Sequence, residues 1–199
     1  MSKVFFPRLQ QLYADMDQEY SRVAWQIGLT CFGCPDNCCT SYFQHHTQVE
    51  WAYLWDGLQG LPDQEQEMIR AKAKRYVHTT REMIARQHVP KAMCPLNLEG
   101  LCTLYEHRLM ICRLHGVSNQ FSLPDGRAKI FPGCLRCQEI LQDRAASPTL
   151  PLLDRTDFYR RLAALEMDYL RDLSGKPAKV RLTLAEMILQ PPPRAKQKY

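Results

Sequence analysis

Four thiols fall within the nine residues CFGCPDNCC, at Cys31, Cys34, Cys38 and Cys39. A second set follows at Cys94, Cys102 and Cys112, and a third at Cys134 and Cys137. Two intervening residues let a pair of sulfurs reach one ion from a tight turn or a single helical turn. Cys31 with Cys34, and Cys134 with Cys137, are such pairs, the usual half of a thiolate metal centre. Cys34 and Cys38 are four apart, so a helical turn would bring them onto one face. In an extended chain the neighbours Cys38 and Cys39 point to opposite sides, which suits two sets of ligands better than one. Four thiolates complete a tetrahedral zinc or hold a cubane iron–sulfur cluster, so nine cysteines suffice for one site or two. Two other readings stand beside this one: cysteines packed as small core hydrophobes, and disulfides in an oxidised protein.

Four thiolates around one dication leave a charge of about −2, which cations and backbone N–H groups must offset. Lys91, Arg108, Arg113 and Arg136 lie in the segments able to do so, and Arg113, directly after Cys112, is the leading candidate. Imidazole could replace a thiolate at zinc. His45 and His46, just before a helix start, read as solvent-facing; His107 and His115, flanking Cys112, are better placed. His78 and His88 read as helix-surface residues.

These groups must be positioned by a chain of 199 residues, 45% hydrophobic and 24% charged, enough to bury a core and too apolar for disorder. The formal charge of +5 includes Arg194, Lys196 and Lys198 at the end of the chain, so the body carries only +2. That is too little to indicate a nucleic-acid surface. The opening MSKVFFPRLQQLY has no long apolar run and predicts no export signal. With no stretch long enough to span a membrane, a reduced, cytoplasmic setting is expected, where clustered cysteines bind metal or act in redox chemistry.

Leu9, Leu12, Met16, Tyr20, Val23 and Ile27 recur in steps of three and four, predicting an amphipathic helix over 7–27 with Pro7 in its first turn. Thr47 and Glu50 form a capping-box pattern before a short helix carrying Trp51, Leu54, Trp55 and Leu58, which Gly60 stops. The two tryptophans are expected in the core. A longer helix runs from Pro62 to about His88, with Met68, Ala71, Tyr76, Met83 and Ile84 as a discontinuous apolar stripe. From Met93 to Gly116 periodicity fades, and only a turn or two of helix is expected at Tyr105–Arg113. FSLPDGRAKIFPG predicts a β-hairpin with Pro124, Asp125 and Gly126 at its tip. Helices follow at 138–144 and 157–173, and Thr183 with Glu186 predicts a last capped turn.

The fold expected is mainly α, with helices around an irregular cysteine-rich metal-binding centre and a small β-hairpin. Its organisation reads as an N-terminal helix (1–30), a cysteine-cluster domain (31–140), C-terminal helices packing on it (141–190) and a disordered basic tail (191–199).

The segment CFGCPDNCC resembles the signature of the CxxCxxCC cysteine-cluster family, a zinc- or iron-chelating domain also called YkgJ-like. CPLNLEGLCTLYEHRLMICRLHG is similar to the family's second signature at Cys94, Pro95, Gly100, Cys102, Tyr105, Arg108, Cys112 and Arg113. A later cysteine is also typical, and either Cys134 or Cys137 could supply it. The resemblance covers residues 31 to about 140. Three positions depart from the pattern: Pro35, Asp36 and Asn37 put three residues before the doublet instead of two, Leu109 stands for Pro, and Leu104 for Ile. Flagellin lysine N-methylase is a more distant resemblance through the same cluster.

The resemblance leaves the metal between zinc and an iron–sulfur cluster. The wide, asymmetric spacing leans to iron–sulfur, because zinc modules more often show compact knuckles. All nine cysteines are candidate ligands, with Arg113 and Arg108 beside the cofactor. There is no Gly-rich phosphate loop, GxSxG, HExxH or isolated carboxylate pair. The expected function is therefore a cytoplasmic metalloprotein that binds an iron–sulfur cluster or zinc without turnover of its own, to store metal, pass electrons or present a surface to a protein partner. The alternative is a cluster-dependent group-transfer enzyme, for which the chain is short and shows no S-adenosylmethionine site. No membrane is expected as a partner, and composition argues against nucleic acid.

Overall fold

The structure, a computed structural model, describes residues 3–31, 38–123, 125–143, 151–175 and 179–193, with only the backbone of Cys38. Most of CFGCPDNCC, the hairpin tip at Pro124 and the basic end of the tail lie outside these residues. The protein is mainly helical. In chain order it forms α1 (Phe6–Ile27), α2 (Gln48–Gln59), α3 (Asp63–Ala85), β1 (Asn97–Leu98), β2 (Leu101–Cys102), α4 (Met110–Leu114), β3 (Asn119–Ser122), β4 (Ala128–Phe131), α5 (Leu135–Asp143), β5 (Leu153–Asp154), α6 (Thr156–Asp172) and α7 (Leu184–Leu189). Single 3₁₀ turns occur at Lys3–Phe5, Cys38–Thr40 and Tyr105–His107.

These elements fall into two compact units that interleave along the chain. The first comprises Met1–Phe6, Cys39–Leu109 and Leu165–Tyr199; the second comprises Pro7–Cys38 and Met110–Ala164.

In the first unit α2 is apolar nearly all round and is buried along almost its whole length. A helix so enclosed must satisfy its polar groups internally. Trp51 and Trp55, one turn apart, both donate their indole N–H to the Met187 carbonyl, at 2.9 and 2.7 Å. At the N-terminus, Thr47 does not cap the helix; its hydroxyl donates to the Glu50 carboxylate at 2.6 Å. The cap comes instead from Glu166 on α6, whose carboxylate accepts the Gln48 and Val49 N–H groups at 2.8 and 2.9 Å. A carboxylate there meets both the orphan donors and the positive end of the helix dipole. Burial, with the like charge of Glu50, pushes the Glu166 carboxyl up, and the two backbone N–H groups oppose that shift.

Helix α3 buries Ile69, Ala73, Tyr76 and Thr80, one clean helical face. This corrects the predicted stripe: Tyr76 belongs to it, but Met68 and Ile84 are exposed. Helix α7 has the full capping box. The Thr183 hydroxyl accepts the Glu186 N–H, and the Glu186 carboxylate accepts the Thr183 N–H. The irregular segment holds a hairpin that no dipeptide signal announced, β1 against β2, turned by Glu99 and Gly100, both with positive φ.

In the second unit the stripe read for α1 is buried at Leu9, Leu12, Met16, Val23 and Ile27. The expected hairpin forms, with β3 and β4 antiparallel in register from Asn119↔Phe131 to Ser122↔Ala128. It is wider than predicted, because β5 adds in parallel to β3.

Replacing Glu166 by Ala leaves two N–H groups of a buried helix end without acceptors. We expect urea denaturation to show a loss of about 2 kcal/mol, with Glu166→Gln recovering part of it through its amide oxygen.

Candidate functional site

The chain passes from one unit to the other between Cys38 and Cys39. Cys34 and the Cys38 side chain lie outside the described residues. Among the described residues no disulfide joins these cysteines.

The first unit carries Cys39, Cys94 and Cys102, all half-buried. The Cys94 N–H donates to the Cys39 carbonyl at 2.9 Å, and the Asn97 N–H to the Cys94 carbonyl at 3.0 Å. In the β1–β2 ladder Asn97 lies opposite Cys102. The Leu96 carbonyl accepts both the Thr103 N–H and its hydroxyl. Lys72 on α3 donates to the Asn97 carbonyl at 3.2 Å. Main-chain bonds thus tie the backbone at Cys39 to that at Cys94 and place Asn97 opposite Cys102, with Cys94 and Cys102 packed on the core of that unit.

The second unit carries Cys31, Cys112, Cys134 and Cys137 among its described thiols. Cys31 is exposed beyond α1, and Cys112 is half-buried on α4. Cys134 and Cys137 lie together at the start of α5. The Cys134 sulfur accepts the Cys137 N–H at 3.4 Å, and the Cys134 N–H is held by the Gly116 carbonyl at 2.9 Å. Cys137 is fully buried. Burial pushes its thiol up, the Ser118 backbone N–H lowers it, and the Cys134 sulfur raises it again. Gly133, with φ of +83°, makes this packing possible: a methyl there would lie 2.5 Å from the Gly116 oxygen and 2.9 Å from Cys137 Sγ.

Among the described residues no three His, Cys, Asp or Glu side chains are grouped so as to hold a metal ion. The structure brings Cys134 to Cys137 and ties the backbone at Cys39 to that at Cys94, without closing either set on a point.

Arg113 is paired with Asp17 at 2.5 Å and lies over the Tyr13 ring, its side chain only 3% exposed. Arg108 lies over the Tyr105 ring and donates to the Tyr105 carbonyl. His107 stacks on Tyr53 with ring centroids 4.4 Å apart, and its ring fills the space above Gly57 in mid-α2, where a methyl would lie 2.5 Å away. That explains a glycine inside a buried helix, which sequence reading passed over. The expectation that His45 faces solvent is wrong. Its backbone bridges to Leu182 in both directions, and burial, with His46 adding to it, pushes the imidazole down to about 3. His46 is exposed, its Nδ1 3.1 Å from the Val180 carbonyl.

A group of polar residues that sequence reading missed lines a cavity of about 390 Å³ in the first unit: Lys72, Arg75 and Thr79 from α3, and Asn97 beside Cys94. Its signal was the spacing of Lys72, Arg75, Tyr76 and Thr79, one face of a helix.

Comparison with known protein families, with curated proteins and with solved structures found no match, so the cysteine-cluster resemblance stands on the residues quoted for it.

Two outcomes follow. Gly133→Ala forces a left-handed backbone onto a β-carbon and drives it into the Cys137 sulfur; a loss of about 3 kcal/mol in chemical denaturation is expected. His45 is neutral in the fold and titrates near 6.5 when unfolded, so its contribution is full above that pH and is lost as pH falls toward 3. Stability measured across that window should fall by up to ~1.4 kcal/mol per pH unit through this group, and His45→Phe should flatten the slope.

Proposed function

We propose that this protein is a metalloprotein whose clustered cysteines hold an iron–sulfur cluster, or alternatively a zinc ion, without turnover of its own. The observation that carries the reading is the Cys134–Cys137 pair, two sulfurs on one helical turn with one tied to the backbone of the other. Thiolates are the donors that both metals accept. Cys31, Cys112, Cys134 and Cys137 belong to one unit and supply four thiols, the number either centre needs. Cys39, Cys94 and Cys102 form the second set, with Cys34 and Cys38 on the segment that precedes it.

The metal's contribution, once bound, is to deprotonate the thiols and draw them to one point. The chain's own contribution is positional. The Ser118 N–H is aimed at the Cys137 sulfur and favours its anionic form, against the burial that disfavours it. Because ligands standing apart must close on the ion, loading is coupled to folding, and the apo protein should be the less stable form.

Anaerobic purification of the full chain with metal analysis and a visible spectrum tests the proposal. Stoichiometric iron with sulfide and a brown absorbance is the expected result. Cys134→Ser with Cys137→Ser, and Cys112→Ser separately, should lower metal content and the denaturation midpoint together. A folded protein holding neither iron nor zinc, or variants that keep their full metal, would overturn it.

A further inference from the structure

Along α3, Lys72, Arg75, Tyr76 and Thr79 follow one another at steps of three, one and three, and all four border an open cavity of about 390 Å³ whose other side is lined by Ala92, Met93, Cys94 and Asn97. Its polar side chains are almost all donors. Lys72 spends one N–H on the Asn97 carbonyl, which holds the ammonium at the wall and leaves two donors. Arg75 has no carboxylate partner among the described residues, and no Asp or Glu lines the cavity. Asn97 turns its amide oxygen to the Gly100 N–H, at 3.1 Å, and its buried amide nitrogen has no acceptor. Lys72 is half-buried and Arg75 and Thr79 are exposed, so the lining presents two solvent-reachable cations without a carboxylate, a surface that attracts anions.

We propose that this cavity binds the phosphate group of a small phosphorylated molecule. Two cations match a dianion in charge. A guanidinium offers paired N–H donors to two phosphate oxygens, the ammonium serves a third as a point charge, and the Thr79 hydroxyl can add a further bond. The volume falls in the range of small-molecule sites and exceeds what bare phosphate fills, leaving room for an organic body against the Tyr76 ring. No Gly-rich loop is involved; the donors come from one helix face and the segment across from it. The proposal does not rest on metal at the cysteines, although Cys94 borders the same space.

Isothermal titration of the full chain at constant ionic strength tests it, with glycerol 3-phosphate, inorganic phosphate, succinate and glycerol as probes. Saturable one-to-one binding of glycerol 3-phosphate is expected, with inorganic phosphate weaker and no binding of succinate or glycerol. Arg75→Gln should weaken glycerol 3-phosphate by about tenfold or more, the worth of a charge-assisted pair. Lys74→Gln, on the same helix but outside the cavity, should leave it unchanged, and circular dichroism should show both variants folded. No saturable binding, equal binding of succinate, or full affinity in Arg75→Gln would overturn the proposal. Metal content measured on the same samples keeps it separate from the cysteine reading: binding by metal-free protein upholds this site alone.

Discussion

Helix α2 is enclosed on nearly every face, and that enclosure sets the terms for the unit around it. A helix end left in an apolar interior costs a few kcal/mol in unmet donors, so the chain must bring acceptors to it from elsewhere. Glu166 supplies them at the N-terminus, and the Met187 carbonyl takes both indole N–H groups along the side. These bonds span well over a hundred residues. They tie the C-terminal elements to the middle of the chain and leave α3 one face for the core and another for the cavity.

The same economy shapes the cysteine-bearing loop. Residues 92–104 have little regular structure of their own, so their backbone groups are met one at a time, by Cys39, Lys72 and the short β1–β2 ladder. Each of those bonds also fixes a thiol or a donor. The loop is thereby both the platform for Cys94 and Cys102 and the far wall of the donor-lined cavity. In the other unit Gly133 and Gly116 play the corresponding part, allowing main chain to press against the Cys134–Cys137 turn.

Much of the fold is legible in the sequence where the signal is local. The stripe of α1, the Gly60 stop, the β3–β4 hairpin and the Thr183–Glu186 box all lie within a few residues of what they control, and each appears as read. Features decided at long range are not legible. Thr47 and Glu50 carry a capping box in sequence, but their side chains bond to each other, and the Glu166 carboxyl from α6 takes the N–H groups of Gln48 and Val49 instead. The face of α3 was misread because Ala73 and Thr80 line its buried side while Met68, the more apolar residue, is exposed. His45 looked solvent-facing until the strand-like pairing with Leu182 enclosed it. Of the candidate site, the spacing of Cys134 and Cys137 was legible; which thiols share a unit was not, because the division of the chain falls inside the Cys38–Cys39 doublet.

The central claim is that these sulfurs are metal ligands. X-ray absorption at the metal edge of anaerobically prepared full-length protein tests it most directly. The account predicts a first shell dominated by sulfur at about 2.3 Å, the thiolate distance. A first shell of nitrogen and oxygen alone, at about 2.0–2.2 Å, would contradict it.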